Sequence, residues 1–425
     1  MLVEFSVENY RSFKDKVTFS MLASEDTEHE DTNIIPLPDG KRLLKSAVIY
    51  GANASGKSNL MLALDFMSYF VCSSQQMRPN DLIGVIPFKL DAACLNKPSK
   101  FDIIFYCESV KYAYGFAVTS KEVIEEYLYV FNNEEQRSIF TRSKENGFDF
   151  SENDDKDAEV FKFLCDFNAD NKLYLSTAGA YKKLTNLVSW FEELLLYNQR
   201  ISYYFLRDNF YDNNVDKEKE QIFNKVIKWV KEIDVGISNI ELNADPDLFK
   251  DDNTFDNGYR EKYTKILKNI QTTHEVLNQD GSRSKVDFNF YNDESGGTNN
   301  FFSVALSIAE KMSRGSLFLA DELNIGLHTL LTKYIVNLFH NTKNNPIHSQ
   351  LIFTTHDTNL LDLDLFRRDQ IWFTEKNPDT GITDLYSLCD FEVPETADGR
   401  EVNIEKGYLL GIYGAIPFIG GGANG

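Results

Sequence analysis

Gly51-Ala52-Asn53-Ala54-Ser55-Gly56-Lys57-Ser58 is the stretch from which the rest of this 425-residue chain can be read. It fits G-x-x-x-x-G-K-[ST] at every position, and each residue type has a chemical reason to be there. Glycines let the backbone turn so that successive N–H groups converge on phosphate oxygens. A helix starting near Lys57 adds its positive N-terminal end. Lys57 is expected to reach β- and γ-phosphates, and the Ser58 hydroxyl to ligate Mg²⁺. Gly51, Asn53, Ala54, Ser55, Gly56, Lys57, Ser58 and Asn59 are therefore the candidate nucleotide-binding residues. Ala47-Val48-Ile49-Tyr50 before the loop is β-rich, and Leu60, Leu62, Ala63 and Phe66 after it fit a helix. Strand, glycine loop and helix in that order open an α/β unit.

Further along, the apolar run Ser316-Leu317-Phe318-Leu319-Ala320 ends in Asp321 and Glu322. A buried strand ends this way when carboxylates must meet a metal at the carboxyl edge of a parallel sheet. Asp321 is expected to hold Mg²⁺, directly or through water, and Glu322 to act as general base toward the attacking water. A third apolar run, Leu351-Ile352-Phe353-Thr354-Thr355, delivers His356, which can sense a γ-phosphate and orient that water. His328 and His348 are less favoured, and His29, His274 and His340 have no supporting context.

Outward from these landmarks, Val3, Phe5 and Val7, then Phe13, Val17 and Phe19, alternate with polar residues, as two antiparallel strands do. FDIIFYC and YAYGFAV, separated by the short spacer Glu108–Lys111, predict a hairpin. From Lys285 on, strand and helix patterns alternate again: VDFNFY, FFSVALSIAEKM, SLFLADE, TLLTKYIVNLFH and QLIFTTHD. Between these halves, helical spacing at Leu184, Leu187, Val188, Phe191, Leu194 and Leu195, and again at Ile222–Val230, predicts a mostly helical insertion over 151–284. It separates an N-terminal part, 1–150, from a C-terminal part, 285–420. Within it, six acids against two bases between Glu241 and Arg260 read as a solvated loop.

Composition sets limits on partners and compartment. Forty-four basic against 65 acidic residues give a net charge of −21, which excludes a uniformly basic nucleic-acid coat. Five scattered cysteines indicate neither a disulfide framework nor a zinc site. The N-terminal residues lack a signal-peptide layout, and Gly407–Gly425, with seven glycines and Pro417, is no membrane span. The expectation is a cytoplasmic protein with no membrane partner. The final GGGANG reads as a flexible tail.

Glu294-Ser295-Gly296-Gly297-Thr298 stands just before the helix FFSVALSIAEKM, with Ser295 26 residues before Asp321. This resembles the signature motif of ABC-type ATPases in its shortened S-x-G-[TE] form. Glycine loop, signature, strand-DE and strand-His occur in the ABC order. With "VEFSVENYRSFKDKVTFSMLAS", "LFLADELNIGLH", "IFTTHD", "DQIWFTEKN" and "GIYGAIPFI", residues 1–420 are similar to prokaryotic ATPases of the SMC and RecF clan linked to abortive infection. Within that clan the chain looks most like the RloA- and AbiL-type ATPase subunits of two-gene anti-phage systems. The resemblance implies an α/β ABC-type ATPase head, a P-loop NTPase with an antiparallel β-subdomain, carrying the mostly helical insertion. It departs from relatives at Thr329, where many have proline, and at Ile412, where many have arginine. No glutamine loop is identifiable, although Gln75 and Gln76 lie in a plausible region.

What the resemblance further implies is a head that works in pairs. Two subunits, or a higher homo-oligomer, would sandwich ATP, each nucleotide held by the loop of one chain and by Ser295, Gly296 and Gly297 of another. A separately encoded effector, a TOPRIM-like or RloB-like nuclease, would be controlled by slow ATP hydrolysis and triggered by nucleic acid or a phage product. Only about fifty residues follow Gln370–Phe373, too few for the nuclease domain of fused relatives, which fits an effector acting in trans. Three other readings stay open: a RecF-like DNA-clamping ATPase of DNA maintenance or repair, a transporter ATPase, and an ATP-stabilised scaffold with negligible turnover.

Overall fold

The computed structural model describes residues 1–132, 135–150, 155–194, 196–197, 202, 204–207, 217–234, 236–242, 259–392 and 403–417. The chain divides into two compact units: Met1–Leu196 with Ser316–Glu322 and Phe339–Gly425, and Tyr197–Gly315 with Leu323–Leu338.

In the first unit, the runs Ser46–Tyr50, Leu317–Ala320 and Gln350–Thr354 are buried at every residue. Strands covered on both faces favour parallel pairing, and these are parallel. The sheet order is Leu317–Ala320, Gln350–Thr354, Ser46–Tyr50, Ile371–Lys376, closed by the antiparallel strand Thr383–Ser387. The glycine loop, Asp321-Glu322 and His356 thus follow three neighbouring parallel strands and leave the sheet at one edge.

The opposite edge is tied by buried polar groups. Lys45, fully buried, donates to the His340 carbonyl at 3.0 Å, and the His340 ring meets Ser46 Oγ at 2.8 Å. Burial, reinforced by the Lys45 charge, pushes His340 down to about 3, so its imidazole is neutral. Gln370 donates to the Ser46 carbonyl at 2.9 Å, and Gln350 donates to the carbonyls of Leu2 and Leu44, both at 3.1 Å.

A seven-stranded antiparallel sheet forms the β-subdomain. Its order is Gly147–Asp149, Glu135–Ser143, Val123–Asn132, Val110–Val118, Ser99–Cys107, Leu2–Glu8, Val17–Ser20. Phe5 pairs with Phe19 as the alternation predicts. The predicted hairpin turns on Glu108 and Ser109, at φ 49° and 66°, the left-handed pair a two-residue turn prefers. Phe101, Ile103, Phe105, Tyr114 and Phe116 point into one core with Leu60, Leu64, Met67 and Phe70 of the helix Lys57–Ser73. The first unit is thus an α/β fold in which the parallel sheet, the helix Lys57–Ser73 and the antiparallel β-subdomain share one core, as the expected fold class requires.

The second unit holds the helix Lys217–Ile233, which buries Ile222, Val226, Trp229 and Val230, and the helices Tyr259–Lys268 and Gly296–Arg314. It also holds an antiparallel sheet, Ile237–Leu242, Ile270–Leu277 and Arg283–Asn289, that helical spacing does not announce. The last of these strands carries the predicted VDFNFY pattern over Val286–Asn289, although Val286 and Phe288 are exposed. The strand pattern at VDFNFY stops early, because Phe290 begins a helical turn over Phe290–Asp293. Leu195, most of the acidic loop and the GGGANG tail lie outside the described residues. Among the described residues no helix is long and apolar enough to cross a membrane.

Candidate functional site

Crowding explains the two glycines of the loop. A Cβ at Gly51 would stand 2.5 Å from both Ser55 Oγ and the Thr374 carbonyl. Gly56 has φ +122°, and a Cβ there would meet Thr383 Cγ2 at 2.5 Å. Ser55 is buried, with its Oγ 2.6 Å from Thr374 Oγ1 and its carbonyl accepting from Thr383 Oγ1 at 2.7 Å. Asn59 donates to Ser12 Oγ at 2.7 Å. The loop is therefore fastened from behind, while Asn53, Ala54 and Ser58 remain exposed. Gly51, Gly56, Ser55 and Asn59 shape the loop through these contacts, and Ser58 opens the helix with its side chain accessible.

Lys57 is only 5% exposed, and its ammonium donates to the carbonyls of Gly51 at 2.7 Å and Ala52 at 3.0 Å. Burial pushes it down to about 8, against the opposing pull of Asp321 and Glu322. A desolvated cation inside a fastened loop, at a helix N-terminus, suits a polyphosphate.

On the neighbouring strands, one hydroxyl organises the two acids. Thr354 Oγ1 donates to Asp321 Oδ1 at 2.6 Å and accepts from the Glu322 N–H at 2.7 Å. This fixes Glu322 in a left-handed backbone (φ 52°), unusual for a non-glycine residue. The Glu322 carboxylate then meets His356 Nε2 at 3.3 Å, both side chains being over one-third exposed. Asp321, Glu322, His356 and Lys57 therefore gather at one edge. Glu322, partly exposed beside His356, is placed to take a proton, and Asp321 and Ser58 are the oxygen-bearing residues that would hold a divalent cation.

In the second unit, Ser295 caps the helix Gly296–Arg314. Its Oγ accepts from the Thr298 N–H at 3.0 Å and lies 2.8 Å from Thr298 Oγ1, which donates to Asp234 at 3.1 Å. Ser295 and Gly296 are exposed and Gly297 is half-buried. Gly296 and Gly297 supply the first helical N–H groups, which no intrahelical carbonyl can satisfy.

Sequence reasoning missed Thr354, Thr374, Thr383 and Ser12, which hold the loop and the acids. A threonine directly after an apolar run within a strand, as at Thr354 and Thr374, was the available signal. It also missed a cavity of about 1180 Å³ beside Asn53–Ser55, lined by Lys14, Phe88, Leu90, Asn377 and Ile382 among others. The cavity borders the strand Ile371–Lys376, the neighbour of Ser46–Tyr50 on the side away from the acids. Gln75 and Gln76 sit in the short 3₁₀ turn Ser74–Gln76, both exposed.

Known structures with overall similarity include an SMC head bound to the C-terminal winged-helix domain of ScpA, at 14% identity and TM-score 0.39, covering 91% of this chain and 97% of that one. Another is the SMC head domain from Thermotoga maritima, at 12% identity and TM-score 0.39, covering 92% and 99%. No curated protein matches the chain in sequence. A family model does: the one described as "AAA domain, putative AbiEii toxin, Type IV TA system" matches residues 46–362. That span begins at the strand before the glycine loop and runs past His356, so it contains Lys57, Asp321, Glu322 and His356 as well as Ser295. The chain belongs to this family of AAA-domain ATPases associated with abortive infection.

Proposed function

We propose that the chain is the ATP-binding and ATP-hydrolysing sensor and scaffold subunit of an anti-phage, abortive-infection defence system. The observation that carries the reading is the convergence of the glycine loop, Asp321-Glu322 and His356 on three adjacent parallel strands. In this reading Gly51–Ser58 hold the phosphates, with the nucleoside in the cavity beside Asn53. Mg²⁺, carried by Ser58 and Asp321, would offset charge on the phosphates. Glu322 accepts the proton of the attacking water, and His356 orients that water toward the γ-phosphate.

Hydrolysis in such heads is a positioning problem, and the exposed Ser295-Gly296-Gly297 segment supports a contribution from a second copy. Two heads would close on two ATP molecules, and the closed assembly would hold a separately encoded effector, a TOPRIM-like or RloB-like nuclease. A phage product, nucleic acid or hydrolysis would then release it. The toxin–antitoxin description of the family supports a dedicated partner.

Ser295→Arg tests the paired arrangement. The larger side chain should obstruct the facing chain and weaken ATP-driven association by about tenfold or more, the scale of an overpacked contact. ATP binding by the chain's own loop should persist. Sedimentation velocity with and without ATP-Mg²⁺ reads the first and calorimetric titration the second. Unchanged association would end the sandwich reading.

A further inference from the structure

Glu294 immediately precedes Ser295 on an exposed loop, yet its side chain is only 6% exposed. A glutamate on such a loop ordinarily faces water; turning it inward costs free energy unless donors meet it. Two do. His274 Nε2 donates to Glu294 Oε1 at 2.7 Å, and Thr272 Oγ1 donates to the same oxygen. Both donors lie on Ile270–Leu277, the central strand of the three-stranded sheet, two residues apart and so on one face.

Each donor is itself held. Thr272 is fully buried and pairs across the sheet with Phe288, while His274 pairs with Val286. The His274 ring lies against Phe288, with centroids 4.5 Å apart. Behind it, even a Cβ at Gly236 would come within 3.3 Å of His274 Nδ1. The imidazole is thus fixed by packing before it meets the carboxylate. On the far side of the loop, Thr298 is held by Asp234. Ser295, Gly296 and Gly297 therefore lie between two anchored residues, Glu294 and Thr298.

We propose that Thr272 and His274 are positioning residues for the Ser295-Gly296-Gly297 loop. Through Glu294 they fix the angle at which its hydroxyl and N–H groups are presented to the nucleotide of a second copy of this chain. They touch neither nucleotide nor reacting atoms. The inference rests on the sandwich reading and adds to it the sheet that controls the loop.

The test uses the full chain in a Glu322→Gln background, so that turnover does not interfere. Thr272→Val with His274→Ala should raise the protein concentration needed for half-maximal ATP-driven association by on the order of tenfold to a hundredfold, the scale of a misplaced contact group. ATP affinity of the single chain should stay put, and the melting temperature without ATP should fall by only a few degrees, because the freed Glu294 side chain can turn out to water. His274→Gln, which keeps a donor, should restore most of the association. Association unchanged in the double variant while Ser295→Arg abolishes it overturns this inference and leaves the sandwich standing. Association lost only together with the fold, with no rescue by His274→Gln, overturns it as well. Association indifferent to Ser295→Arg removes the sandwich itself, and this inference with it.

Discussion

Lys57→Ala should weaken ATP binding by about a hundredfold to ten-thousandfold. The ammonium is expected to make at least two charge-assisted hydrogen bonds to phosphate oxygens, each worth about 1.5–3 kcal/mol, and each 1.4 kcal/mol is tenfold. The same group donates to the carbonyls of Gly51 and Ala52, so a melting curve without nucleotide must accompany the titration to separate loop collapse from lost contact. Undiminished binding in a folded variant would remove the phosphate-loop assignment. A pH series gives a second check. Burial holds Lys57 at about 8, and the nucleotide favours its protonated form. Affinity should therefore be level below pH 8 and fall by up to about tenfold per unit above it, until the bound-state value is reached. Lys57→Ala should lose that component of the slope.

Glu322→Gln should leave binding intact and lower turnover by about a hundredfold to ten-thousandfold, the usual range for removing a general base. Glutamine matches the size of glutamate and its N–H can still donate to Thr354 Oγ1, so the left-handed turn at residue 322 survives. What it cannot do is take a proton. Phosphate release should stop while sedimentation in ATP shows the associated form persisting. Turnover at the parental rate would place the base elsewhere, and His356, 3.3 Å away, would be the next group to test.

The parallel core and the β-subdomain were legible because burial dictates their sequence. Strands covered on both sides must be apolar throughout, as in SLFLA and QLIFT, and strands covered on one side must alternate, as at Val3, Phe5 and Val7. The loop was legible because the close approach of Thr374 and Thr383 leaves room only for glycine at 51 and 56. Of the second unit's sheet only the strand at VDFNFY was. Its strands IQTTHEVL and RSKVDFN carry mixed polar residues, and their pairing is set by contacts distant in sequence. For the same reason His274 looked unremarked in the sequence: its partner, Glu294, is 20 residues away and meets it only once the hairpin closes. Thr354 was hidden differently, since a threonine ending a strand is common and its role appears only when two carboxyl-terminal residues of the adjacent strand arrive beside it.

The two ends of the parallel sheet differ in kind. One carries the glycine loop and leaves Asn53, Ala54, Ser58 and His356 exposed to water; the other is laced by the buried Lys45, His340, Gln350 and Gln370. Thermal opening should accordingly run like a zipper from the ligand side. Amide protons at the laced end, such as that of Leu351 bonded to the Lys45 carbonyl at 2.9 Å, should be the last to trade for deuterium, and nucleotide should protect the exposed, loop-bearing end far more than this one.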